Sequence, residues 1–197
     1  MAASITYICN SALNQIGASN ILSLAEDSKA ARICNQRYPF LRDSVFRAHP
    51  WKSLTRRASL SPDSTAPEFE FDNAFTLPTD PFCLRVLYLR FHDIPYRLEG
   101  RKILCNEDTI DLVYLARITD TSEYDSLLIE TLVAAIAADV AYPLVGSNTL
   151  AQQMRIMYED KLKEARFVSA TEGTPARFTS VSDSGAIAAD TFIRSRF

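Results

Sequence analysis

The spacing of apolar residues changes twice along the chain and divides it into helical and extended regions. In the first quarter, apolar side chains recur every three or four positions, the period that gathers them on one face of an α-helix. Two helices are predicted, at 4–17 and 28–48, with Ser28 as the N-cap of the second. Gly17 stands where a left-handed residue ends the first helix. Pro39 is expected to kink or divide the second helix, because it removes a backbone donor.

From Lys52 the period falls to about two, which is typical of strands. The predicted strands are 54–60, 68–71 with 74–77 as its extension, 83–91, 96–99, 102–105 and 110–118. Gly100 has the position of a hairpin turn between two of them. The last strand, IDLVYLARI, is apolar enough to be central. The middle of the chain is therefore predicted as a small, mostly antiparallel sheet.

The helical period returns after Thr121. An alanine-rich helix is expected to stop at Pro143, and another helix follows Gly146 and Ser147. Two helices joined by so short a connection pack antiparallel. The prediction is thus an α+β fold in which the N-terminal helices and this C-terminal pair form a bundle. The bundle is the helical body, residues 1–51 and 119–168, and the β-rich insertion is 52–118.

Residues 169–197 are rich in Ser, Thr, Ala and Gly and show no sustained period. Such a composition does not bury enough apolar surface to order itself. The segment nevertheless ends in three large apolar residues and two arginines: Phe192, Ile193, Arg194, Arg196 and Phe197. We interpret it as an extended C-terminal arm that orders against a partner. A frayed terminus is the alternative.

Charge is unevenly distributed. The chain carries a net charge of −3, which disfavours a general nucleic-acid binder. Yet residues 28–57 hold eight Lys or Arg against one acid, Asp43. Four arginines recur every five residues and so wind around the helix instead of sharing the face that a DNA-reading helix needs: Arg32, Arg37, Arg42 and Arg47. They are predicted to pair with the acidic surface of a neighbouring subunit, and a solvated basic face is the alternative.

Candidates for catalysis are few. The histidines are His49, predicted to contact the last helical carbonyls or Trp51, and His92, which precedes an acid. The four cysteines have no metal-binding spacing and are read as reduced core residues: Cys9, Cys34, Cys83 and Cys105. Nucleophile, P-loop, dinucleotide and zinc-protease motifs are absent from the sequence. Carboxylates at 68/70 and 107/108/111 give a glycosidase little support. We predict no enzyme activity, cofactor or metal.

The N-terminus lacks the basic and apolar regions of a signal peptide. An uninterrupted apolar run long enough to span a bilayer is also lacking. The sequence therefore predicts a soluble protein that does not bind membranes.

Several segments in a fixed order resemble the tail tubular protein A family, the head-to-tail adaptors of short-tailed phages. They are LNQIG at 13–17, LAEDSKAARICNQRYPFLRDSVFRAHPW at 24–51, TRRASL at 55–60, LPTDPFCLRV at 77–86, LVYLARITD with a following YD at 112–125, and AYPLVGS at 141–147. The resemblance covers roughly residues 5 to 168. The last 29 residues do not take part in it.

The resemblance implies a structural virion protein in a dodecameric ring between the portal and the tail nozzle protein. The helices would form the ring body and the sheet would project toward the tail, with tail fibres attached nearby in such phages. DNA would pass through the channel without being read. The protein would be made in the host cytoplasm and reside at the portal–tail junction. Two alternatives are a head-completion protein with a peptidoglycan-hydrolase side activity and a regulator that binds DNA through the basic helix.

Overall fold

The computed structural model describes residues 4–90 and 94–172. Within these residues the predicted α+β class is confirmed, with four α-helices and two three-stranded antiparallel sheets. The helices are α1 (Ile5–Gln15), α2 (Lys29–Arg47), α3 (Ser126–Val145) and α4 (Asn148–Thr171), and a 3-10 turn at Thr121–Glu123 precedes α3. The strands are β1 (Thr55–Leu60), β2 (Asn73–Thr76), β3 (Cys83–Leu89), β4 (Arg97–Glu99), β5 (Lys102–Cys105) and β6 (Ile110–Ala116).

Each α-helix begins after a polar residue whose side chain accepts a hydrogen bond from a first-turn N–H. These N-caps are Ser4, Ser28, Asp125 and Ser147, at 3.0–3.2 Å from their donors. Gly146 ends α3 at φ 75° and Gly17 follows α1 at φ 71°, both in the left-handed region that glycine adopts without steric cost. The predicted caps are therefore confirmed.

The two helical prolines interrupt less than the sequence predicted. Pro39 lies inside α2, which continues to Arg47, so of the expected kink or division the division does not occur. Pro143 lies inside α3, which continues for two residues beyond it. Pro39 is on the exposed side of its helix, where solvent can bond the carbonyl that loses its partner. Pro143 is in the last turn, where few intrahelical bonds follow.

The strands form two sheets where the sequence predicted one. In the first sheet β6 is central between β1 and β3, as expected from its apolar character, and in the second β5 is central between β2 and β4. Both sheets use the same period, so local alternation does not reveal which strands pair. The predicted strand at 68–71 is wrong: Glu70 has φ 74° and Phe69 is 77% exposed, and the ladder begins at Asn73.

Helix α3 is the centre of the bundle, and α1, α2 and α4 all pack against it. Its residues 131–137 are buried without interruption. Lys29, at the start of α2, bonds the Pro143 carbonyl near the end of α3, whereas Arg166 of α4 bonds the Ala48 carbonyl after α2 at 2.9 Å. Helix α3 therefore runs antiparallel to both α2 and α4. The start of α2 and residues 142–147 lie at the end of the bundle remote from the sheets, which we call the bundle tip.

A single apolar core connects the bundle with the sheets. Phe46, near the end of α2, and Trp51, shortly after it, are almost fully buried. Both lie in the same apolar cluster as Leu115 of β6. The Trp51 indole N–H donates to the Val45 carbonyl at 3.0 Å, so the polar part of this large side chain is satisfied inside the core. The end of α2 is thus the place where helices and sheets are joined.

Among the described residues, α3 is long and apolar enough to pass a test for membrane-spanning helices, with a mean hydropathy of 1.7. More than half of that window is buried inside the fold. A helix enclosed by three others needs apolar residues all round. The apolar character of α3 is therefore accounted for by its place in the core.

Candidate interaction surfaces

Two of the four α2 arginines named from the sequence lie on the surface and pair within the chain. Arg32 bonds Asp27 at 2.8 Å, and both side chains are largely exposed. Arg37 grips Asp139 of α3 with two bonds of 2.7 and 2.8 Å, and this carboxylate raises the pKa of the Arg37 guanidinium. Exposed pairs of this kind contribute little to stability. Their contact with a second subunit stays a prediction.

The other two arginines also bond within the chain. Arg42 is 9% exposed and bonds the Asp43 carboxylate beside it in α2 at 2.8 Å. Arg47 is exposed but donates to the Leu84 carbonyl at the start of β3, and Arg85 of the same strand donates back to the Arg47 carbonyl at 3.4 Å. The bonds of Arg47 and Arg85 fasten α2 to the first sheet.

A cluster of charged and aromatic residues fills this helix–sheet contact, and we call it the junction cluster: Arg42, Asp43, Phe82, Arg101 and Arg117. Asp43 accepts from Arg42 through one oxygen and from Arg117 through the other, at 2.6 Å. Phe82 has the Arg101 and Arg117 guanidinium carbons 3.9 and 4.2 Å from its ring centre. Such stacking over an aromatic face stabilises partly desolvated cations.

Sequence reasoning missed most of the junction cluster. Its members come from four separate segments, and the spacing along the chain does not indicate that they meet. Asp43 offered the one usable signal, since it is the single acid among eight basic residues of its segment. An acid kept in such surroundings is expected to neutralise a buried arginine.

The histidine of the described residues, His49, packs against other side chains of the fold. His49 packs edge-on against Trp51 with ring centres 5.0 Å apart, as predicted. Burial lowers the pKa of His49, and the charges of Arg166 and Lys52 lower it further. His92, the other histidine named from the sequence, lies outside the described residues.

The carboxylates whose pKa values shift in the described chain all shift downward. A hydrogen bond from Lys102 lowers the pKa of Asp63, and one from Arg90 lowers the pKa of Asp111. Hydrogen bonding to Ser122 lowers the pKa of Asp120. A glycosidase acid needs a raised pKa instead. Residues 4–90 and 94–172 also contain no group of three side chains able to hold a metal ion.

All four cysteines are buried free thiols. Cys9 of α1 and Cys34 of α2 form a hydrogen-bonded pair inside the bundle. This bond and burial raise the pKa of the Cys9 thiol, whereas the bond lowers the pKa of the Cys34 thiol. Burial likewise raises the pKa values of Cys83 and Cys105. A buried thiol with a raised pKa is a poor nucleophile, because the thiolate is the reactive form.

Large apolar side chains of the described residues reach the solvent at several places, including Tyr7 of α1 and Phe40 of α2. The bundle tip exposes Tyr142 and Val145, and Leu22 in the loop before α2 is 94% exposed. The β-rich part exposes Phe69 and Leu98 on and beside the second sheet. The outer side of α4 exposes Ile156 and Phe167. Exposed aromatic and aliphatic groups of this size mark candidate contacts with other proteins.

A shallow cleft of about 520 Å³ lies between α2, α3 and α4. Leu41, Ala135 and Tyr158 contribute to its lining, and Asp139 and Arg155 place charges in it. The five C-terminal residues predicted to contact the portal or another subunit lie outside the described residues: Phe192, Ile193, Arg194, Arg196 and Phe197.

Comparison with known proteins adds no relative. No protein-family model matches the chain, and no curated protein is significantly similar to it.

Proposed function

We propose that this chain is a structural virion protein, a head-to-tail adaptor similar to the tail tubular protein A of short-tailed phages. In this proposal several copies, twelve in the family that the sequence resembles, form a ring between the portal and the tail nozzle protein. DNA passes through the ring without sequence-specific contacts. The protein acts by binding its neighbours and catalyses no reaction.

The observation that carries the proposal is where the resembling segments meet. The segment 24–51 supplies Arg42 and Asp43, the segment 77–86 supplies Phe82, and the segment 112–125 supplies Arg117. These residues contact one another in the junction cluster. The segments that carry the resemblance thus supply residues to the contact between the helical body and the β-rich part, and this supports the proposal.

The distribution of exposed apolar groups supports the same role. An adaptor holds two different neighbours and therefore needs two separate surfaces. The bundle tip offers Tyr142 and Val145, and the β-rich part offers Phe69 and Leu98. The helix–sheet junction lies between these surfaces, since α2 runs from the bundle tip to the first sheet.

The proposal is tested by mixing the purified chain with the portal protein encoded in the same genome and measuring mass by light scattering. A complex with a fixed multiple of this chain per portal ring is expected. A portal whose mass does not change would contradict the proposal. In that case a zymogram and a salt-dependent DNA shift would test the two alternative functions.

A further inference from the structure

Helix α4 presents one side to α3 and the opposite side to solvent. Its buried residues, Ala165 and Ser169, lie on the inner side. On the outer side Phe167 is 72% exposed and Ile156 is 61% exposed. Asp160 and Lys163 lie between them on the same side, largely exposed and 3.5 Å apart. We call these four residues the α4 stripe.

The α4 stripe has an internal symmetry. Ile156 and Phe167 are equally distant from a point midway between Lys161 and Leu162, and so are Asp160 and Lys163. Two antiparallel copies of α4 related by a two-fold axis through that point would place each residue opposite its counterpart. Ile156 of one copy would face Phe167 of the other, and Asp160 of one copy would face Lys163 of the other.

We propose that the α4 stripe is the contact between two copies of this chain in a two-fold dimer. In this arrangement the two surfaces are complementary in polarity and in charge, because apolar side chains contact apolar side chains and the acid contacts the base. Glu159 and Glu164 are also centred on the axis, but they lie on opposite flanks of the stripe and do not meet. The dimer belongs to the free chain and does not depend on the proposed adaptor function.

The symmetry fixes the number of copies. A contact made by the same patch on both subunits is complete after two copies, whereas a ring is built from contacts between different patches. Mass therefore distinguishes the α4 dimer from a ring or from open assembly.

The test is sedimentation equilibrium of the full chain over a range of concentrations. The wild-type chain is expected to reach the mass of two chains, and F167D is expected to keep the mass of one. F40D is the matched control, because Phe40 of α2 is 68% exposed but lies outside the stripe. A wild-type chain that stays at the mass of one, or an F167D variant that still dimerises, would overturn the proposal.

A charge exchange makes the test independent of apolar contacts. D160K places two lysines opposite each other, and K163D places two acids opposite each other. Each single variant is expected to weaken dimerisation at least tenfold, and D160K/K163D is expected to restore it. Failure of the double variant to recover would exclude the antiparallel register.

Crosslinking tests the geometry directly. A mixture of I156C and F167C chains is expected to form a mixed disulfide under mild oxidation by oxygen, with the electrons of the two thiols passing to the oxidant. Each variant kept by itself is expected to crosslink poorly, because position 156 faces position 167 of the other copy. Equal crosslinking in all three samples would contradict the proposed pairing.

Discussion

Helices α3 and α4 are neighbours in the chain and of similar length, yet their surroundings are opposite. In α3 every residue from 131 to 137 is buried, whereas α4 has two buried residues among 24. α3 is enclosed by three helices, and α4 contacts the bundle through one side. Burial therefore indicates that α3 stabilises the fold, whereas the exposed side of α4 is the surface that we propose as the contact between two copies. The following predictions test that division, from the largest effect to the smallest.

The largest loss of stability is expected in α3. Leu132 is fully buried, so L132A removes apolar contacts and leaves a cavity that costs about 2–5 kcal/mol of unfolding free energy. Q153A, at an exposed position of α4 outside the α4 stripe, is the control and should change stability by no more than about 0.5 kcal/mol. Urea unfolding of the two variants compares them. Equal losses would contradict the proposed division between the two helices.

The junction cluster is expected to come next. D43N keeps the shape of the side chain but removes the charge shared by Arg42 and Arg117, whose side chains are 11% and 32% exposed. Because the cluster is partly solvated, the expected loss is about 1–3 kcal/mol instead of the full cost of a buried unpaired charge. D27N, which breaks the exposed pair with Arg32, should have almost no effect. A harmless D43N would show that the cluster does not hold the sheet to the helices.

The connection between α3 and α4 is expected to show a smaller effect. G146A places a side chain at φ 75°, where an L-residue is strained, although no neighbouring atom would clash with the added carbon. The expected loss is about 1 kcal/mol. Thermal unfolding of G146A is compared with that of A138G, a variant in the middle of α3. The comparison separates backbone strain at the turn from the general effect of replacing glycine by alanine or alanine by glycine. An unchanged G146A would mean that the turn relaxes freely.

Acid is expected to weaken the fold first through His49. The folded-state pKa of His49 is below its ordinary value of 6.5, so the unfolded chain binds the proton more readily. Stability is therefore expected to fall as the pH drops below about 6.5, and the loss ends once the pH is below the folded-state pKa. H49Q should flatten this part of the stability profile measured in urea. Asp63 and Asp111, with lowered pKa values, should matter only below about pH 4, in both proteins.

The smallest effect on stability is expected from deletion of residues 186–197. This segment carries the predicted anchors Phe192, Ile193 and Phe197 and lies outside the described residues. The deletion should leave the unfolding midpoint unchanged and weaken binding to the portal. Portal binding equal to that of the full chain would contradict a role for the arm. F192S/I193S in the full chain is the matched variant that keeps the length.

The sequence predicted the helices and most strands because their signals are local. Ser28 and Gly146 cap helices by contacts within a few residues, and β6 could be named as central because its run is apolar on both faces. The exception at 68–71 is instructive, since alternation of acids and aromatics was present without pairing partners. The alternation of apolar and polar residues indicates that a segment is able to form a strand, but hydrogen bonding to a neighbouring strand decides whether it does.

The candidate surfaces were harder to predict because they depend on the folded arrangement. Arg42 and Arg32 look alike in the sequence, yet one is buried against Asp43 and the other is exposed. Amphipathic spacing identifies an inner side but does not show whether the other side is also used.

The central claim is that the chain functions by binding its neighbours, first of all the portal. Light scattering of the full chain with the portal protein of the same genome tests this claim most directly. We predict a complex in which the number of copies of this chain is a fixed multiple for each portal ring. Separate species with unchanged masses at every mixing ratio would contradict the claim.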